Sequence, residues 1–161
     1  MNDIIELFYE NPEQAFTVRE LAKMSKIPRS TVHKQLVALK NAQLVSSDNS
    51  ASNSLLFKTK KVNFFMEKIA ASGLLDAFIM HFNPSCIILF GSVRKGESTK
   101  ESDIDLFIES AIKKEFDFSA YEKKLKHHIQ VFVEGDITAL PAHLFNNVLN
   151  GIKVYGSFKI K

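Results

Sequence analysis

An α+β fold in two parts is predicted by three features of the 161-residue sequence. Residues 3–40 hold three segments with apolar groups at helical spacing, separated by the breaks Asn11-Pro12 and Ile27-Pro28. From residue 86 onward, short apolar or alternating runs of strand character are interleaved with helical ones. Between them, residues 62–82 keep helical spacing through a Ser72-Gly73 pair that divides the run. The expected organisation is a first domain at 1–61, a connecting helix at 62–73 and a second domain at 74–161.

Each element has its own signal. Ile4, Ile5, Leu7 and Phe8 make the inner face of a first helix at 3–9. Thr17 followed by Glu20 is a capping box that starts a second helix carrying Val18, Leu21, Ala22 and Met24. Val32, Leu36 and Leu39 form the core stripe of a third helix at 29–40. Leu44-Val45 begins a strand, the polar stretch 46–54 forms a mobile tip, and Leu55-Leu56-Phe57 returns as the second strand. Three helices and a hairpin follow the order of a winged helix-turn-helix. In the second part, 86–90 is wholly apolar, as in a buried strand. Strands at 103–109 and 129–133 flank a helix at 117–126. Pro141 opens a last helix that runs to Asn150, and 152–160 reads as a hairpin around Gly156. The fold class is therefore α+β: a winged helix-turn-helix, then a small mixed sheet with flanking helices.

Composition narrows the function classes. With 45% hydrophobic and 24% charged residues, the chain reads as a globular protein. A net charge of +3 is too small to specify a nucleic-acid partner by itself. Cys86 has no internal disulfide partner, and the expected location is the cytoplasm. No apolar run reaches the ~18–20 residues that span a bilayer, so no membrane partner is expected. The spacing of the five histidines and Cys86 fits no zinc-ligand pattern.

The chemistry lies in Phe90-Gly91-Ser92, ten further residues, and Asp103-Ile104-Asp105. Gly91 lets the backbone approach a phosphate with no Cβ in the way. Ser92 offers a hydroxyl and an amide where a helix can begin. Arg94 and Lys95 can neutralise a triphosphate, and Gly96 permits a turn. Alternation along a strand puts Asp103 and Asp105 on one face, roughly 7 Å apart, with Ile104 in the core. Such a pair suits Mg²⁺, which takes one or two carboxylates together with substrate phosphates.

Gly91-Ser92 and Asp103-Ile104-Asp105 at this spacing resemble the signature of the minimal nucleotidyltransferases of the polymerase-β-like superfamily. The resemblance covers about residues 74–156 and includes the apolar strand before Gly91, Gly96 and Ser102. It implies binding of Mg²⁺, with room for a two-metal site, and of ATP or another nucleoside triphosphate. Asp103 and Asp105 would hold metal and act in catalysis; Gly91, Ser92, Arg94 and Lys95 would hold nucleotide. The family usually places a third carboxylate on the next strand, and alternation puts Gln130 there. Gln cannot take a proton. His128 lies on the same face as Gln130 and can act as a base, and Glu134 falls at the strand end. The domain has no residues for an acceptor-binding extension, so the acceptor is expected from a partner macromolecule or a second subunit of a homodimer. The resemblance also suggests an antitoxin that modifies a helical toxin.

The segment from Thr17 to Val45 resembles the winged helix-turn-helix of bacterial and archaeal regulators, which implies DNA as a partner. With the core stripe buried, Arg29, Ser30, Thr31, His33, Lys34 and Gln35 are expected to face outward, where they reach bases and phosphates. Between Leu21 and Ser47 there are five Lys or Arg and no Asp or Glu. Lys58, Lys60 and Lys61 are further candidates for phosphate contacts. Gln43 stands where this family often has glycine. Two functions from different classes follow: a nucleotidyltransferase that also binds DNA, or a DNA-binding regulator whose second domain binds nucleotide without catalysis.

Overall fold

The structure, a computed structural model, describes residues 3–159. The described residues divide into two compact units, one of 3–61 with 98–100 and one of 62–97 with 101–159.

The first unit begins with helices α1 (Ile5–Glu10), α2 (Val18–Ser25) and α3 (Arg29–Asn41). The capping box forms: the Thr17 hydroxyl accepts from Glu20 N–H, and the Glu20 carboxylate accepts from Thr17 N–H at 2.8 Å. Ile4, Phe8, Leu21, Val32 and Leu36 are buried as the periodicity requires, while Tyr9 rather than Leu7 completes the inner face of α1. Met24, expected inside, is 48% exposed. Gln43 adopts φ 58°, so the left-handed cap forms without glycine, and Leu44 N–H donates to Leu39 C=O at 2.9 Å.

The hairpin is the main departure from expectation. Val45 and Ala51 make an isolated bridge, and the tip is a tight turn rather than a loose loop. Ser46 N–H donates to Ser50 C=O at 2.9 Å, Asn49 takes φ 63°, and Asp48 Oδ1 accepts from both Ser50 N and Ser50 Oγ. Residues Leu55-Leu56-Phe57 are no strand; they open helix α4 (Leu55–Ser72). Ser54 Oγ accepts from Phe57 N–H at 3.2 Å, the kind of bond that starts a helix. The buried positions Phe57, Lys61, Phe65, Ile69 and Ser72 then follow helical spacing without a gap. Lys61 belongs to this stripe. It is fully buried, its Nζ donates to the Ser98 carbonyl, and burial pulls its pKa down to about 8 against the opposing pull of Glu10. It is therefore no DNA-phosphate contact, whereas Lys60 is exposed.

In the second unit Gly73, at φ 83°, separates α4 from α5 (Leu74–Phe82). Strands β1 (Cys86–Phe90), β2 (Ile104–Glu109), β3 (Ile129–Glu134) and β4 (Ile152–Gly156) form one sheet in the order β3-β2-β1-β4. The β2–β3 pair is parallel and the β1–β2 and β1–β4 pairs are antiparallel. Helix α6 (Gly91–Lys95) follows β1, α7 (Ser119–Leu125) is the crossover that a parallel pair needs, and α8 (Ala142–Leu149) precedes β4.

Alternation sorts the sheet into two cores. Ile87, Leu89, Ile104, Leu106 and Ile108 pack with Phe65, Leu74, Phe78 and Phe82 from α4 and α5. Ile88, Phe90 and Phe107 pack on the other side with Ile137, Leu140 and Val148. The expected hairpin at 152–160 is instead the single strand β4; residue 160 lies outside the described residues. Gly156 is its last residue, opposite Cys86. Gly156 takes φ 66°, and an added Cβ there would lie 1.9 Å from the Ser85 carbonyl oxygen, so a left-handed backbone and a close approach both call for glycine at this strand end.

Candidate nucleotide site and helix-turn-helix surface

The antiparallel register sets Phe90, at the end of β1, opposite Asp105, near the start of β2. The chain then turns at Gly91 with φ 71° and enters α6. A Cβ on Gly91 would stand 1.9 Å from Asp105 Oδ2 and 2.8 Å from its Cγ. The room that glycine leaves is thus filled by the aspartate itself, which makes Gly91 and Asp105 one structural unit. Gly91→Ala combines that clash with a left-handed conformation costing roughly 1–2 kcal/mol for an L-residue. We expect a lower melting temperature together with at least about tenfold weaker Mg-ATP binding if Asp105 is a metal ligand, read by thermal unfolding and calorimetry. Unchanged nucleotide affinity would separate Gly91 from the site.

Asp103 is exposed just before β2, Ile104 is fully buried, and Asp105 is half-buried, so the two carboxylates lie on one face as alternation demands. Burial raises the pKa of Asp105 above the ordinary carboxylate value, and the neighbouring charge of Asp103 raises it further. A half-buried carboxylate whose charged form is disfavoured in this way fits a divalent cation, whose charge would favour that form. Among the described residues no group of three or more His, Cys, Asp or Glu is placed to hold a metal. The pair Asp103 and Asp105 falls within the one or two carboxylates that Mg²⁺ commonly takes from a protein when phosphates provide other ligands.

The parallel pairing of β2 and β3 sets Gln130 opposite Asp105, with its side chain exposed on the same face. Glu134 pairs with Glu109, four residues further along, about 13 Å from the Gln130 position. Its Oε2 accepts from Lys113 Nζ at 2.7 Å, and distance removes it as a third carboxylate for this site. Glu109 is buried and accepts from Ser85 Oγ at 2.6 Å and Ile137 N–H at 3.0 Å, a structural pin.

His128 lies beside the pair. Its Nδ1 is 3.6 Å from Asp103 Oδ1 and its Nε2 is 3.6 Å from Glu122 Oε1, contacts too long for hydrogen bonds but in ion-pair range for a protonated ring. Glu122 was invisible from sequence. It sits on α7, accepts from Ile129 N–H at 3.0 Å and fixes the start of β3, a role that no motif spacing announces. His127 points the other way, as alternation predicts: it is buried, with Nδ1 2.7 Å from the Ser102 carbonyl.

The structure therefore gathers Gly91, Asp103, Asp105, His128 and Gln130. Ser92 is the second residue of α6 and half-buried. Arg94, half-buried, and Lys95, exposed, lie at the end of that helix.

Residues 72–159, more than half of the chain, match the nucleotidyltransferase domain. The chain belongs to the nucleotidyltransferase family. Residues 3–49 match the IclR helix-turn-helix domain, so the nucleotidyltransferase domain follows an N-terminal helix-turn-helix in one chain. Neither curated proteins nor solved structures give a match.

In the helix-turn-helix, Arg29, Ser30, Thr31, His33 and Lys34 of α3 are all exposed. Gln35 differs: it is half-buried, and its Oε1 accepts from Ile4 N–H at 3.4 Å, tying α3 to the start of the chain. Among the described residues no helix is long and apolar enough to cross a membrane.

Proposed function

We propose that this nucleotidyltransferase binds Mg-NTP, with ATP as the first candidate, and transfers the nucleoside monophosphate to a hydroxyl on a partner macromolecule. The observation that carries this reading is the interlock of Gly91 with the Asp105 carboxylate, which joins the two halves of the motif in one place. Asp103 and Asp105 would hold the metal, and Gly91, Ser92, Arg94 and Lys95 would meet the phosphates. When bound, Mg²⁺ supplies charge neutralisation at the phosphates. The acceptor oxygen bonds to the α-phosphorus, the bond to the bridging oxygen breaks, and pyrophosphate leaves with its electron pair. The hydroxyl proton passes to solvent or to His128, the nearest basic side chain in the gathered set. A helical toxin presenting a hydroxyl would make the protein an antitoxin, and a second copy in a homodimer is the other route to an acceptor. Calorimetry with ATP, with Mg²⁺ and then in EDTA, tests the binding step; equal affinity in both would sink the metal reading.

Gln130 favours a second reading. A neutral amide opposite Asp105 suits a regulator that binds nucleotide and does not transfer it. Both readings share DNA as a partner through α3. Duplex DNA should bind with strong salt dependence, because phosphate contacts release counterions. Lys34→Ala should reduce the slope of log affinity against log salt by about one unit if Lys34 touches a phosphate. Fluorescence anisotropy across a salt series measures this. No binding at low salt to the duplex upstream of the protein's own coding region would assign the helix-turn-helix to protein docking.

A further inference from the structure

The segment 98–100 lies in sequence between the phosphate turn and Asp103, yet it is part of the helix-turn-helix unit. Hydrogen bonds hold it there. Lys61 Nζ donates to the Ser98 carbonyl, and Lys100 N–H donates to the Glu10 carbonyl at 2.7 Å. Both Lys61 and Ser98 are fully buried.

Each end of the segment is also fastened to the proposed nucleotide site. Glu97 N–H, adjacent to Ser98, donates to the Ser92 carbonyl at 3.0 Å. The carbonyl of Ser102, adjacent to Asp103, is 2.7 Å from His127 Nδ1. Little slack is left: a shift at Ser92 or at Asp103 reaches Ser98 or Lys100 through a few residues that are bonded at both ends. If the segment leaves its seat, the buried Lys61 ammonium and the Ser98 carbonyl lose each other as partners, a penalty that favours two discrete positions over a gradual drift.

We propose that residues 98–100 act as a strap through which nucleotide occupancy at Ser92 and Asp103 alters the DNA affinity of the helix-turn-helix. The proposal rests on the reading above, that Mg-NTP binds at this site and DNA at α3. Linkage then requires DNA to change nucleotide affinity by the same factor. The strap makes the protein a nucleotide-responsive DNA binder whether or not transfer occurs.

The test uses the full chain, the duplex upstream of its coding region and a non-hydrolysable ATP analogue with Mg²⁺. The dissociation constant for DNA should differ about fivefold or more between nucleotide-free and saturated protein, the lower end of common coupling strengths. Lys61→Met keeps an apolar chain in the buried stripe but removes the donor. It should leave nucleotide-free DNA affinity within about twofold and reduce the coupling to below about twofold. Because this variant can fail to fold, hydrogen exchange on the wild type supplies a second reading: protection of the Lys100 amide should change when the analogue binds. Nucleotide binding seen by calorimetry, with DNA affinity and Lys100 protection both unchanged, overturns the strap alone. No heat with the analogue and Mg²⁺ overturns the nucleotide reading and the strap with it.

Discussion

The double substitution Asp103→Asn with Asp105→Asn is expected to abolish Mg-dependent ATP binding while leaving the fold in place. Changes in the surroundings of a bound metal commonly cost 10–100-fold in affinity, so loss of both direct carboxylates should exceed about 100-fold. Stability should move differently. The folded-state pKa of Asp105 is raised, chiefly by burial and further by Asp103. The folded protein therefore holds its proton more tightly than the unfolded chain does, and the associated stability is lost as pH rises through the folded pKa. At neutral pH the metal-free wild type carries this unfavourable ionisation, and the double Asn form does not. Its melting temperature in EDTA should equal or exceed that of the wild type. Adding Mg-ATP should raise the wild-type melting temperature, because a ligand of the folded state stabilises it by mass action, and leave the variant unmoved. Retained Mg-dependent binding in the variant would remove Asp103 and Asp105 from the metal site.

Much of this site was legible because its signals are local. Strand alternation sufficed to put Asp103 and Asp105 on one side of Ile104, and the apolar run at 86–90 located the strand before Gly91. The same alternation set Gln130 on the Asp105 face, and the parallel register agrees. Non-local facts were harder. The sequence suggests phosphate access at Gly91, but only the fold shows that the space a Cβ would need is also taken by the Asp105 carboxylate from another strand. The start of helix α4 is hidden by the winged helix-turn-helix order, which makes Leu55-Leu56-Phe57 a returning strand, although Phe57, Lys61, Phe65 and Ile69 keep strict i, i+4 spacing. A lysine in a core stripe is uncommon enough that its acceptor, the Ser98 carbonyl, has to be seen before the stripe is believed. Gly156 is a related case: its left-handed φ is what a hairpin turn would also need, and the close Ser85 carbonyl is visible only in the fold.

Gln130→Asp is expected to raise the rate of nucleotide transfer, and its outcome decides between the transferase and the regulator. Position 130 pairs with Asp105 and is exposed on its face, so an aspartate there would bring a third carboxylate beside the existing two. Three neighbouring carboxylates repel one another in the absence of a cation, which should lower the melting temperature in EDTA. Mg²⁺ should then stabilise the variant by more than it stabilises the wild type, a readout independent of turnover. A well-placed base is worth roughly 10²–10⁴-fold in rate, and imperfect alignment of the new carboxylate would reduce the gain. Pyrophosphate release from labelled ATP, with cell extract as the source of acceptor, compares wild type, Gln130→Asp and the double Asn form. His128→Ala belongs in the same series, since His128 lies 3.6 Å from Asp103. A wild-type rate abolished by His128→Ala would show that the histidine already serves as base and that Gln130 is not the missing group. If Gln130→Asp gains the extra Mg²⁺ stabilisation but neither it nor the wild type exceeds the double Asn form in pyrophosphate release, the domain binds nucleotide without transferring it. The regulator reading then stands.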